Sequence, residues 1–262
     1  MSMIRRVGRT AITTALATAA TATIGGAVVL AGQAVLARGR RYAQPDLRLA
    51  MRASVGGAGA VTIRLVLLGD STALGVGVER VTDTVGGQLA TLLADSPGGR
   101  RVELSSVAVS GARSADLGTQ VARALLGARP DVAVILVGGN DAMHFTRPSE
   151  AAEDLASAVR RLRALGVGVV AGTTPDLGAT RAFARPLRQL VNWQGRRLAR
   201  AQIAAVRSAG GTPVDLAAQT GAVFRADTGT YCHDGYHPSA DGYRVWAHAL
   251  LPAVTEVAAV AQ

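Results

Sequence analysis

Four short blocks of this 262-residue chain carry side chains that can do chemistry, and three of them directly follow apolar runs. The first is Gly69-Asp70-Ser71. A serine hydroxyl is a weak nucleophile until a base removes its proton. The base has to come from four histidines, at 144, 233, 237 and 248. His237 lies in Asp234-Gly235-Tyr236-His237-Pro238, with an Asp three residues ahead of it. Such an Asp can accept the Nδ1–H bond, fix the tautomer and leave Nε2 facing a hydroxyl. The two remaining blocks are Ser110-Gly111 and Gly138-Gly139-Asn140-Asp141. The N–H of Gly111 and the side-chain amide of Asn140 can join the N–H of Ser71 as donors to a developing oxyanion. Each block alone has a plainer reading. Asp and Ser cap helices, Gly and Asn make turns, and an Asp-x-x-His can be a surface loop. The order and placement of all four together favour the catalytic reading.

Other polar residues near these blocks are assigned supporting roles. Asp70 is expected to be structural and Asp141 to tie its loop together. His144 is expected at the surface or in packing, and Cys232 and His233 as loop residues. Residues 69–75 lack the Lys-Ser/Thr of a nucleotide phosphate loop, and Gly75-Val76-Gly77 is followed by Arg80 rather than a third glycine. No Gly-x-Ser-x-Gly surrounds Ser71, which disfavours the ordinary α/β-hydrolase elbow. One cysteine allows no internal disulfide and no zinc cluster. No metal and no cofactor is expected.

The elements that must position these blocks follow from the hydrophobic pattern. Apolar runs at 61–68, 102–109, 132–138, 167–173 and 212–216 read as strands, and the near-continuous runs among them suit burial on both faces. Helix-length stretches cover 84–94, 115–127, 150–165, 186–209 and 239–260. Strand–helix alternation implies right-handed crossovers and a parallel sheet with helices on both faces. Ligands of such sheets bind beyond the carboxyl ends of the strands. Gly69-Asp70-Ser71, Ser110-Gly111 and Gly139-Asn140-Asp141 all stand there, after the first, second and third strands.

With these blocks in place, the chain resembles the SGNH hydrolases, the GDSL family of esterases and lipases, over about residues 61–255. The resemblance implies Ser71 as nucleophile, His237 as base, Asp234 as its orienter, and an oxyanion hole from Ser71, Gly111 and Asn140. It also implies a flavodoxin-like three-layer α/β/α sandwich with a five-stranded parallel sheet. Thr72 stands where the family name has Leu, a position that varies. Cleavage of carboxylic esters through an acyl-enzyme on Ser71 is the expected activity. Two alternatives remain open: an acyltransferase or deacylase working on a cell-envelope glycan or lipid, and a non-catalytic membrane-tethered binding domain.

Bulk composition adds the setting. Hydrophobic residues make up 49% of the chain, enough for one sizeable core, but aromatics only 3%. The net charge of +10 is carried by arginine alone. Eight of the arginines stand in the first 52 residues beside a single acid, Asp46, which leaves 20 arginines against 17 acids in the rest. With no recognition motif, no nucleic-acid partner is expected. Residues 11–37 are uncharged and long enough to span a hydrocarbon core of roughly 30 Å. Arg5, Arg6 and Arg9 precede them like the start of a signal sequence. An uncleaved anchor, a cleaved signal peptide and a peripheral helix are the competing readings. Arginines flank both ends, so the positive-inside rule sets no orientation. The expected organisation is a signal or anchor segment at 1–37, a linker at 38–60 and a catalytic domain at 61–262. That places the protein in the cell envelope, membrane-anchored or exported, acting on a small-molecule or lipid ester. Nothing in the sequence sets an oligomeric state.

Overall fold

The structure, a computed structural model, describes residues 51–260 apart from Gly59 and Gly98. The hydrophobic segment expected over 1–37, and the linker as far as residue 50, lie outside the described residues. Among the described residues no helix is long and apolar enough to cross a membrane.

Six strands form one sheet: β1 (Arg52–Val55), β2 (Val61–Gly69), β3 (Arg100–Ser106), β4 (Val132–Leu136), β5 (Gly168–Gly172) and β6 (Thr212–Val214), in the order β1-β3-β2-β4-β5-β6. The five strands from β2 to β6 are mutually parallel where they pair. Their order is the flavodoxin-like one, with the chain crossing back over β2 after β3. β1 pairs antiparallel with β3, Arg52 opposite Ser105 and Val55 opposite Val102. The linker expected over 38–60 therefore contains an edge strand, and the sheet has one strand more than the five expected. Arg52 to Val55 alternate in exposure, a half-covered edge pattern too short to register against the surrounding Gly and Ala.

Helices alternate with the strands: α1 (Ser71–Leu74), α2 (Val85–Ala94), α3 (Leu117–Ala124), α4 (Gly139–Met143), α5 (Pro148–Arg163), α6 (Leu187–Ser208), α7 (Leu216–Ala226) and α8 (Ala240–Val260). Successive residues of a strand point to opposite faces. On one face Leu65, Leu67, Val134 and Leu136 pack with Leu89 and Leu93 of α2 and Trp246, Leu250 and Val254 of α8. On the other, Val66, Leu68, Ile135 and Val169 pack with Leu117 and Val121 of α3, Leu155 and Val159 of α5 and Val206 of α6. The last strand stops at Val214 rather than at the expected residue 216, and α7 follows from Leu216 over a stretch for which no helix was expected. Asp215 caps it by accepting from the Ala218 N–H at 2.9 Å. Its Thr220 and Gly221 are weak helix formers, so packing rather than propensity holds it.

This topology directs the first three motif blocks to one edge. The crevice at the strand-order reversal lies between the carboxyl ends of β2 and β4. β2 ends at Gly69 and β4 at Leu136, paired as neighbours.

Candidate active site

Ser71 is set by what happens at the end of β2. Gly69 has φ 131°, and a Cβ there would stand 1.7 Å from the Leu136 carbonyl oxygen, so only glycine lets β2 press this closely on β4. Its peptide groups are gripped by the buried Gln120 of α3. The Gly69 N–H donates to Oε1 at 2.7 Å, and Nε2 donates to the Gly69 carbonyl at 2.9 Å. Asp70 then caps α1, its Oδ1 accepting from the Thr72 N–H at 2.9 Å and the Thr72 hydroxyl at 2.7 Å. Ser71 follows as the first helical residue, buried apart from its face to the crevice. Asp70 has the structural role expected of it. Burial raises its carboxyl above the ordinary range, although the Thr72 hydrogen bonds oppose this.

The loop between a short 3₁₀ turn, Thr228–Thr230, and α8 brings His237 to the same edge. Tyr231 and Pro238 bridge its two sides, and the Cys232 N–H donates to the His237 carbonyl at 2.9 Å. The Gly235 carbonyl at the tip accepts from the Thr180 hydroxyl at 2.6 Å and from the N–H groups of Arg181 and Ala182 at 2.9 and 3.1 Å. The segment after β5 therefore clamps this loop. The Ser71 turn is held from the other side. The Tyr243 hydroxyl of α8 donates to the Val76 carbonyl at 2.6 Å. A Cβ at Gly77 would come 2.5 Å from the Pro238 carbonyl oxygen and 3.2 Å from the His237 Cβ. A glycine at 77 is thus what lets the two loops touch.

The result is a continuous hydrogen-bonded chain. The Ser71 Oγ stands 2.9 Å from His237 Nε2, across 166 residues of sequence. His237 Nδ1 stands 2.7 Å from Asp234 Oδ2. The other carboxylate oxygen of Asp234 accepts from the N–H groups of Tyr236 at 2.6 Å and His237 at 2.8 Å. Burial works to raise the Asp234 carboxyl, but these bonds, led by the one to the His237 ring, overcome it and hold the group down at about 2. The Tyr236 ring stands edge-on to the imidazole, with centroids 4.9 Å apart. Tautomer, orientation and charge are all set for a base facing the Ser71 hydroxyl.

Gly111 lies in the loop after β3 and Asn140 in the first turn of α4, after β4. Gly111 is exposed with φ 83°, and a Cβ there would meet nothing within 4 Å. The Asn140 amide donates to the Ala112 carbonyl at 3.0 Å, which joins α4 to that loop and leaves its second N–H for another acceptor. Asp141 makes a second tie. Its Oδ2 accepts from the Ser114 N–H at 3.0 Å and hydroxyl at 3.1 Å, the tying role expected for it. His144 turns back on its own helix, with Nδ1 2.8 Å from the Asn140 carbonyl. His233 is exposed. Cys232 lies beside Gly77, and burial pushes its thiol up to about 11, which leaves little thiolate at neutral pH. Among the described residues no group of three or more His, Cys, Asp or Glu side chains could hold a metal ion.

A cavity of about 40 Å³ opens beside Ser71, walled by Leu136, Gly172, Thr173, Leu216, Phe224 and Trp246. Sequence reasoning did not find Gln120, Gly77, Thr180 or Tyr243. Gln120 looks like any polar residue of a surface helix, and the other three carry no local motif, because each acts on a segment far away in the chain.

Residues 67–245 match the GDSL-like Lipase/Acylhydrolase family. A GDSL-like esterase of Mycobacterium tuberculosis is 42% identical over 196 residues, which are 74% of this chain and 62% of that protein. The match thus spans less than two thirds of that relative's length. Among solved structures, a lipase/acylhydrolase from Enterococcus faecalis has a TM-score of 0.60 at 21% identity, covering 76% of this chain and 96% of its own. An acetylxylan esterase from Geobacillus stearothermophilus has a TM-score of 0.54 at 21% identity, covering 74% and 95%. At these identities both speak for the fold alone, while the family match takes in all four motif blocks between Gly69 and His237. The chain belongs to the GDSL-like lipase/acylhydrolase family.

Proposed function

We propose that the chain is a serine hydrolase of carboxylic esters, with Ser71 as nucleophile, His237 as general base and Asp234 as the group that orients it. The observation that carries this reading is the 2.9 Å contact between Ser71 Oγ and His237 Nε2. His237 takes the Ser71 proton as Oγ attacks the ester carbonyl carbon. The carbonyl oxygen becomes an oxyanion, held by the N–H groups of Ser71 and Gly111 and the second amide N–H of Asn140. His237 then gives its proton to the departing alcohol. Water, deprotonated by the same ring, releases the acid and restores Ser71. Asp234 stays ionised throughout, as its low carboxyl requires. The cavity beside Ser71 is walled largely by apolar side chains, Leu136, Leu216, Phe224 and Trp246 among them, which favours an apolar acyl group there.

The test is Ser71→Ala with p-nitrophenyl esters and a fluorophosphonate probe. Loss of both turnover and labelling, with the melting temperature kept, supports the reading. Full turnover in that variant refutes it. We further propose that residues 11–37 hold the protein in the cell envelope, on the strength of their length and lack of charge. Release of the protein from membranes by alkaline carbonate would count against that.

A further inference from the structure

The longest helix of the described residues, α6 with 22 residues, holds no Asp or Glu. Its outward face carries Leu190, Trp193, Arg196, Arg197, Arg200 and Arg207 at helical spacing, all exposed. The Arg197 guanidinium stacks over the Trp193 ring at 4.7 Å. None of Arg196, Arg197, Arg200 and Arg207 has a carboxylate partner among the described residues. On neighbouring α5, Glu153 is engaged by Arg160, and Glu150 by Arg147.

The active-site end of this face is apolar. Trp193 is 53% exposed and Leu190 39%. The Gln194 side chain, next to Trp193, donates to the Thr146 carbonyl at 2.7 Å, which brings the loop after α4 against this end of α6. In that loop Phe145 is 43% exposed and holds φ 53°, an uncommon backbone for a bulky residue. That backbone closes α4, with the Thr146 N–H donating to the Asp141 carbonyl at 3.0 Å, and it leaves the ring at the surface. Leu187 and Val191 at this end of α6 pack in one cluster with Met143 and with Tyr236, which lines the crevice, so the patch borders its mouth.

Exposed aliphatic and aromatic side chains beside unpaired arginines match the chemistry of an anionic lipid surface. The apolar groups enter the headgroup boundary while the guanidinium groups meet phosphate. A nucleic acid would use the arginines and could stack on Trp193, but it has no use for Leu190. We infer that the α6 face and the Phe145 loop dock on an anionic bilayer surface and bring the mouth of the Ser71 crevice to the lipid. This inference is separate from the esterase reading, since neither the surface nor its test involves turnover.

The chain has two tryptophans, and they divide the reporting cleanly. Trp193 is exposed and Trp246 is 3% exposed. The experiment reconstitutes the full chain with phosphatidylcholine vesicles, with and without phosphatidylglycerol, and follows tryptophan emission and its quenching by aqueous acrylamide and by brominated lipid. Residues 1–50 contain no tryptophan, so membrane insertion of the N-terminal segment is silent in this readout. The expected result is a blue shift and bromolipid quenching of Trp193 only with phosphatidylglycerol, reversed by high salt. The combined R196E/R197E/R200E variant should lose both signals, and W193F should show only the unresponsive Trp246. Should the triple variant unfold, the salt reversal in the native protein still decides. A Trp193 that stays open to acrylamide on anionic vesicles overturns the inference. So does protection of Trp193 without any vesicle, by a second copy of the chain that light scattering detects.

Discussion

Replacing Asp234 by Asn tests the proposed chemistry most closely, because the structure dictates which way the amide must face. One carboxylate oxygen of Asp234 accepts two backbone N–H groups, from Tyr236 and His237, and the other accepts from the His237 ring. In the Asn variant the single oxygen stays with the two backbone donors, since an NH2 group there would meet donors head-on and leave them unpaired. The amide NH2 is then turned to His237 Nδ1 and forces it to accept. The ring proton moves to Nε2, the nitrogen 2.9 Å from Ser71 Oγ, which can now only donate. The base is lost although every heavy atom keeps its place. A wrong tautomer of this kind lowers kcat by about 10⁴, or roughly 5 kcal/mol of barrier. KM should change little, because substrate contacts are untouched. The assay is steady-state hydrolysis of a short p-nitrophenyl ester, with the melting temperature as control on folding. A variant within about tenfold of the native kcat would refute the reasoning.

The same carboxylate should show in stability against pH. Its folded value of about 2 lies below the ordinary 3.8, so it stabilises the fold above pH 4 by an amount on the order of 2 kcal/mol, lost as the pH falls through 2 and measurable by denaturant titration. Asp70 has the opposite sign: its raised carboxyl means that the charged form burdens the fold at neutral pH. Asp70→Asn keeps the cap on Thr72, so it should leave the melting temperature equal or higher at pH 7, with the difference vanishing in acid. Asn140→Ala removes the proposed oxyanion donor and the tie to Ala112, and kcat should fall about 10²–10³-fold in the ester assay with KM less affected. Gln120→Leu leaves the Gly69 N–H buried and unpaired, while the Gly69 carbonyl keeps its bond from the Val109 N–H at 3.1 Å. It should cost about 1–3 kcal/mol in urea unfolding and lower kcat through the displaced Ser71 turn.

Much of the site was legible in the sequence. Ser71, Gly111 and Asn140 stand in short motifs after apolar runs, Asp234 and His237 in one ahead of the last helix, and each motif is fixed by local need: a cap, a turn, or an Asp within reach of a His. The parallel sheet was legible because β4 and β5 are buried throughout and therefore continuously apolar. The edge strand β1 was not, since four residues with one half-covered face leave no pattern above a Gly- and Ala-rich background. Nor was α7, whose Thr220 and Gly221 argue against a helix that Asp215 and the neighbouring core impose.

The sequence alone thus determined which side chains are available for chemistry and that three of the four blocks follow strands, because these follow from interactions within a few residues. Only the tertiary structure decided that they meet. The approach of the Ser71 turn to the His237 loop depends on Gly77 lying under Pro238, on Tyr243 reaching Val76, and on Thr180 with its neighbours clamping Gly235. Each is a contact between segments distant in the chain. Such contacts arise from close packing, to which no local residue pattern corresponds.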